Sequence, residues 1–189
     1  IRDDVESREL GDVYKRQKYQ IKEMPCLDGA MTKEMEQGYL CTDPVVRIRR
    51  SNDKYILTCK SFDGMIGERR ADVRMCQEYE INQSEESYKH LRQKVDGGLI
   101  SKTRYIIPLA DGHIAELDVF HGPLEGLRFV EVEFQDEEDA DLFVPPEWFG
   151  QNVSGDKRYS NSFLSTQTGL EAVSYTHLRA QETRRHLVC

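Results

Sequence analysis

The sequence predicts an α+β fold in which antiparallel β-structure dominates. Short runs of alternating apolar and charged residues are separated by Gly, Pro, Asn and Asp, the residues that punctuate turns. The clearest run is His113 to Phe134, HIAELDVFHGPLEGLRFVEVEF, which reads as two strands joined at HGPLEG. Stretches with helical period are few and short. Residues two apart in a strand share a face. Glu116 and Asp118 therefore point together, as do Glu131 and Glu133, while Leu117, Val119, Val132 and Phe134 take the other face.

From Lys18, KYQIKEMP reads as a short strand ending at a proline, and MTKEMEQGYLC leads into a second, closed by the Asp43-Pro44 turn. VVRIRRSNDKYILTCKS is a hairpin bent at Ser51-Asn52-Asp53. Gly64 to Arg74 is a loop entering a strand at MCQEYEI. Ser84 starts a helix with Glu85 and Glu86 in its first turn, where negative charge suits the helix dipole. Tyr88, Leu91 and Val95 mark the apolar side of this helix, and Gly97-Gly98 end it. Strands follow over Leu99–Pro108, His113–Phe120 and Leu127–Phe134. A short acidic helix then runs from Asp136 to Pro145-Pro146.

A length of 189 residues fits one domain. The charged fraction of 32% beside a hydrophobic fraction of 38% suggests that charge lines more than the outer surface. The net charge of −8 argues against nucleic acid or an anionic membrane as a partner. No apolar run is long enough to span a membrane, and IRDDVESREL lacks the core of a signal peptide. Five cysteines without a Cys-x-x-Cys fit a reducing cytoplasm and no zinc site. The five histidines form no HExxH, there is no GxxxxGK loop, and no histidine is assigned a role.

The chemistry lies in charges that repeat two residues apart. Arg47 and Arg49 share a strand face, as do Lys102 and Arg104, with Thr58 and Lys60 a further polar pair. Glu78 and Glu80 share another, followed by the four carboxylates of the hairpin. One such pair is ordinary on a solvated sheet face. Repetition with each strand uniformly basic or uniformly acidic weighs equally for a working face, because like charges on neighbouring strands repel unless something offsets them. If the sheet curls, that face becomes a lumen with a basic wall and an acidic wall. A polyanion carrying Mg²⁺ or Mn²⁺ satisfies both walls. Guanidinium and ammonium groups bind phosphate oxygens, and carboxylates bind hard cations.

In order along the chain, VVRIRR, YILTCK, EYEI, KTRY, ELDVFHGPLEGLRFVEVEF and GDKRYSNSFLS resemble the CYTH superfamily, the triphosphate tunnel metalloenzymes. The resemblance implies a domain over residues 18–168 with an eight-stranded antiparallel β-barrel, a triphosphate tunnel, flanked by helices. It implies that Arg47, Arg49, Lys60, Lys102, Arg104 and Arg158 bind the triphosphate, Lys157 being a neighbour of the last. Glu78, Glu80, Glu116, Asp118, Glu131 and Glu133 are the implied ligands of Mg²⁺ or Mn²⁺. Lys18, Lys60 and Tyr39 are the implied catalytic residues, although Tyr39 serves equally well as a core tyrosine.

The chain departs from the family in its first strand. The family signature there is E-x-E-x-K. Lys18 falls at the lysine, but Tyr14 and Arg16 stand at the two glutamates, and a positive Arg16 disfavours a nearby metal. Residues 1–17 and 173–189 are expected to be non-native: DVESRELGDVYKRQ and VSYTHLRAQETRRHLVC resemble translated sequencing-adapter read-through.

The expected activity is metal-dependent hydrolysis of inorganic triphosphate or a related compound. The alternatives are a class IV-type adenylate cyclase, against which stands only the lack of a base-binding motif, and a non-catalytic polyphosphate- or nucleotide-binding module lacking the E-x-E pair. The expected partner is a small triphosphate compound, with a homodimer left open.

Overall fold

The computed structural model describes residues 15–61 and 77–167. Within them the strands are β1 (Lys15–Ile21), β2 (Met31–Thr42), β3 (Val45–Ser51), β4 (Lys54–Ser61), β5 (Gln77–Asn82), β6 (Asp96–Pro108), β7 (Ile114–His121), β8 (Arg128–Phe134) and β9 (Phe149–Asn152). The helices are α1 (Glu85–Arg92), α2 (Glu137–Leu142) and α3 (Asn161–Leu164). All nine strands form one sheet in the order β5-β4-β3-β2-β6-β7-β8-β1-β9, and every pairing is antiparallel. The expected mainly-β architecture is present, with nine strands in place of eight. The ninth is the short β9, which pairs with β1 through Tyr19 and Ile21.

The turns follow their residues. Asn52, at φ +50°, turns the β3–β4 hairpin, and its side chain accepts the Glu34 amide at 2.9 Å. HGPLEG folds as a 3-10 turn over Gly122–Leu124. Ser84 caps α1 by accepting the Ser87 amide, and Asp136 caps α2 by accepting that of Asp139. Helix α1 stops at Arg92, earlier than the expected Gly97-Gly98 end, and those glycines lie in β6. Gly97 has φ +76°, and a Cβ there would meet the Ser165 carbonyl oxygen at 2.7 Å. The Gly98 amide donates to the same oxygen at 2.7 Å. The glycine pair thus admits the α3 end against the sheet, a contact distant in sequence. The loop expected at Gly64–Arg74 and the start of MCQEYEI lie outside the described residues.

Two apolar clusters hold the sheet. Tyr19, Leu117, Val130, Val132 and Phe134 carry one on the outer face, covered by Phe143, Trp148 and Phe149. The other lies on the face that carries the charges. Ile100, Phe120 and Phe129 continue the same alternation as Lys102, Asp118 and Glu131, and they pack against Leu124, Leu127, Val153, Tyr159 and Leu164. One end of the charged face is therefore sealed with hydrocarbon by α3 and the turn before it. Burial of these side chains stabilises by about 1.5–3 kcal/mol each.

Candidate active site

Strand alternation and register place the charges in rows. Across β3, β4 and β5, Arg47 stands opposite Thr58 and Thr58 opposite Glu80, while Lys60 stands between Val45 and Glu78. Tyr39 lies opposite Arg47 on β2. Across β6, β7, β8 and β1, Arg104 faces Asp118, Glu116 faces Glu131, Glu131 faces Lys18 and Glu133 faces Arg16. Tyr14 and the other residues before position 15 lie outside the described residues, as do those after 167.

The β6–β8 part is tightly paired. Arg104 donates Nε to Asp118 Oδ1 at 2.6 Å and Nη2 to Asp118 Oδ2 at 2.7 Å. Its Nη1 pairs with Glu116, and its Nη2 lies 3.2 Å from Glu131 Oε2. Lys102 reaches Asp118 Oδ2 from the other side. Lys18 Nζ sits 2.9 Å from Glu131 Oε1 and donates to the Tyr159 carbonyl at 2.9 Å. Arg16 pairs with Glu133. The carboxylate repulsion read from the sequence is thus offset by the protein's own cations. Burial alone would raise the pKa of Glu131, but Lys18, Arg104 and Lys102 outweigh it and hold the carboxyl below its ordinary range. Asp118 follows the same logic, with burial opposed by Lys102 and Arg104.

The β3–β5 part is looser. Arg47 Nη2 donates to Thr58 Oγ1 at 3.3 Å, and Arg49 Nη2 lies 3.2 Å from Glu80 Oε1. Thr58 donates to the same glutamate oxygen at 3.4 Å. Glu80, expected among the metal ligands, sits here with the arginines, while for Glu78 the register alone is described. Tyr39 is 4% exposed and accepts from Gln37 Nε2 at 3.3 Å. Burial raises its phenol, which stays neutral although nearby Arg47 opposes the rise. Glu131 also acts on Tyr39 electrostatically, from three strands away.

Most of the sequence-selected residues share this face. Arg158 is the exception in position. Its guanidinium is held by Asp156, with Nε at 2.9 Å from Oδ1, whereas Lys157 lines a cavity of about 270 Å³ with Lys18, Glu131 and Tyr159. Gln37 and Thr58, buried and polar, also belong to the face. The charge pattern misses Gln37, two residues before Tyr39 on β2, because glutamine carries no charge.

Divalent metal ions bind hard oxygen donors, and Glu116, Glu131 and Glu133 supply these on adjoining strands. In kind the donor set fits such an ion. In arrangement the oxygens are engaged by Arg104, Lys18 and Arg16, and no three His, Cys, Asp or Glu side chains among the described residues converge to hold one. No helix among the described residues is long and apolar enough to cross a membrane.

No family model matches the chain. The inorganic triphosphatase of Nitrosomonas europaea is 41% identical over 134 residues, which cover 69% of this chain and 83% of that protein. The inorganic triphosphatase of Acetivibrio thermocellus is 38% identical over 132 residues, 68% of this chain and 77% of that protein. A crystal structure of an inorganic triphosphatase superposes with a TM-score of 0.64 at 35% identity, covering 82% of this chain and 96% of the other. With such relatives, and with basic and acidic strands gathered on one sheet face, the chain belongs to the CYTH superfamily of triphosphate tunnel metalloenzymes.

Proposed function

We propose that this protein hydrolyses inorganic triphosphate, or a closely related triphosphate compound, on the charged face of the sheet. The observation that carries the proposal is the assembly of Arg47, Arg49, Lys60 and Arg104 with acidic strands on one sheet face. Two relatives named inorganic triphosphatase support it. The sheet closes into a tunnel with β5 brought toward β1 and β9, a closure supported by the family relationship and by the carboxylates near both ends of the strand order. The working domain spans residues 18–168, with 1–17 and 173–189 extraneous. Strand β1 takes in Lys15, Arg16 and Gln17 as well, because backbone pairing extends a strand whatever its side chains.

Arg47, Arg49, Lys60 and Arg104 grip the phosphate oxygens through charge-assisted hydrogen bonds and stabilise charge on the transferred phosphoryl group. Lys18, fixed by Glu131 and the Tyr159 carbonyl, holds its ammonium beside them. Tyr39 presents a neutral hydroxyl and Lys157 an exposed charge. The apolar cluster at the sealed end excludes water from that side. Glu116, Glu131 and Glu133, with Glu78 and Glu80, would hold Mg²⁺ or Mn²⁺. Such an ion supplies charge neutralisation on the phosphates and a polarised water. Arg16 on Glu133 competes with that ion. The free cysteines among the described residues, Cys26, Cys41 and Cys59, suit a reducing compartment such as the cytoplasm.

The test is phosphate release from tripolyphosphate, with ATP alongside, in Mg²⁺ and in Mn²⁺, for this chain and for Tyr14→Glu/Arg16→Glu. Weak release from the chain as it stands and metal-dependent release after both substitutions is the expected result. Tripolyphosphate left intact by both proteins, or cyclic AMP formed from ATP, would overturn hydrolysis.

A further inference from the structure

We propose that Lys33 is a further phosphate-binding residue, which grips a phosphate group together with Arg104 across β2 and β6. The proposal rests on the triphosphate-binding reading of the charged face and adds to it a residue that the sequence pattern passes over. No charged residue stands two positions from Lys33 on β2, where Met31 and Met35 take those places. A pattern of like charges two apart therefore gives no signal there.

Register places Lys33 on the charged face. It stands opposite Arg104, between Met31 opposite Ile106 and Met35 opposite Lys102. Directly opposed residues of neighbouring strands share a face, whereas successive residues of one strand do not. Glu34, the next residue, fixes the phase. Its Oε1 accepts the Thr103 hydroxyl at 2.8 Å on the other face of the sheet, where Thr103 also meets His121 Nε2 at 2.7 Å. Opposed residues have Cβ atoms about 4.5–5.5 Å apart, so the Lys33 ammonium can reach an anion held by Arg104.

Lys33 differs from the other strand cations of this face in having no partner. Arg16, Lys18, Arg47, Arg49, Lys102 and Arg104 are each paired, and Lys60 is engaged as well. Among the described residues, none forms an ion pair or hydrogen bond with the Lys33 side chain. The β2–β3 pairing begins at Met35 and Ser51, so Lys33 is flanked by a strand on the β6 side alone and stays partly exposed. Arg104 needs such a neighbour. Its Nε and Nη2 hydrogens go to Asp118 and Glu131 and one on Nη1 goes to Glu116, which leaves a single Nη1 hydrogen beside three carboxylates. Those carboxylates lie on β7 and β8, and β2 borders β6 on the opposite side. From that side an ammonium adds three donors and a positive charge, which makes the grip on a phosphate charge-assisted from both strands.

Calorimetric titration with tripolyphosphate, with and without Mg²⁺, tests the residue in the unsubstituted chain, Lys33→Met and Lys33→Arg. Methionine keeps the aliphatic stem and removes the charge. Lys33→Met is expected to weaken tripolyphosphate by about 10-fold with a shallower dependence on salt, and Lys33→Arg to stay within about 3-fold of the unsubstituted chain. The urea midpoint is expected to stay where it was, since no partner is left unpaired. Acetylation of Lys33 by acetic anhydride, read by mass spectrometry, is expected to slow several-fold in saturating tripolyphosphate and not in chloride of equal ionic strength. Tripolyphosphate affinity unchanged in Lys33→Met overturns the proposal, as does acetylation equally fast with and without the ligand. A loss of affinity accompanied by a lowered urea midpoint and no protection assigns Lys33 to the fold and overturns it too. Failure of the function reading is seen separately, as no tripolyphosphate binding by the unsubstituted chain, and this proposal falls with it. Binding that Lys33→Met leaves undiminished defeats this proposal alone.

Discussion

The two halves of the charged face are built from the same residue types and held differently. On β6, β7, β8 and β1, Arg104 lies among Asp118, Glu116 and Glu131, and its side chain is 10% exposed. On β3, β4 and β5, Arg49 has a side chain 21% exposed and meets Glu80 at 3.2 Å through one nitrogen, and Arg47 meets the neutral Thr58. The first wall is settled before any ligand arrives. The second keeps Arg49 and Glu80 more open to solvent than Arg104 and Asp118. Burial causes the difference: ionised groups removed from water must be fully paired, whereas half-exposed ones are partly satisfied by solvent.

The largest expected effect comes from breaking the settled wall. Arg104→Ala leaves three carboxylates without their shared cation and is expected to cost about 3–5 kcal/mol in urea unfolding, with tripolyphosphate binding lost. A cost below about 1 kcal/mol would mean that the walls do not differ in kind. Arg49→Ala on the other wall is expected to change stability by less than about 1 kcal/mol while lowering tripolyphosphate affinity by about 10-fold. If the unfolding midpoint falls as far as in Arg104→Ala, the contrast is lost.

Acid titration sharpens the contrast further. The folded-state pKa of Glu131 is depressed, so its contribution to stability is full above the unfolded value of about 4.3. It is lost only as pH falls through the folded value. The gap in melting temperature between the protein and Glu131→Gln should therefore hold constant from neutral pH to about 5 and close in stronger acid. A gap that closes above pH ~5 would place Glu131 outside the paired network.

The smallest effect lies at the edge of the settled wall. His113 sits between Asp111, 3.0 Å from Nδ1, and Asp139, 3.1 Å from Nε2, beside a cavity that Glu116 and Glu133 also line. Desolvation lowers its pKa, but the two aspartates outweigh it and the net shift is upward. A raised histidine stabilises fully below its unfolded pKa of about 6.5 and loses the contribution as pH rises through the folded value. Against His113→Gln, the protein should lose a small melting-temperature advantage across that window. An advantage that grows toward pH 8 would reverse the assignment.

Much of the site was legible because strand alternation is a strict period. Once Arg47 and Arg49, or Glu131 and Glu133, are placed on strands, their sharing of a face follows from the pleat. The same period hid the sealed end: Ile100, Phe120 and Phe129 lie in phase with the charges, and nothing local says where a charged stretch gives way to an apolar one. The Gly97-Gly98 pair was misread for a related reason. A double glycine after a helix looks like its stop, but its cause is the Ser165 carbonyl, far along the chain. Alternation also gave Lys102 and Asp118 the same standing as Arg104, since it reports face and not depth.

The sequence by itself determined the strands, the shared faces of their charges, the capped helices and the family, because these depend on local period, turn residues and ordered motifs. Only the tertiary structure decided which cations pair with which carboxylates, that Lys102 lies deeper than Arg104, and that hydrocarbon closes one end. Those outcomes depend on strand order, which sets β6, β7, β8 and β1 side by side although β1 comes first in the chain. They depend also on the cost of burying an unpaired charge, a quantity that exists only once the chain has folded.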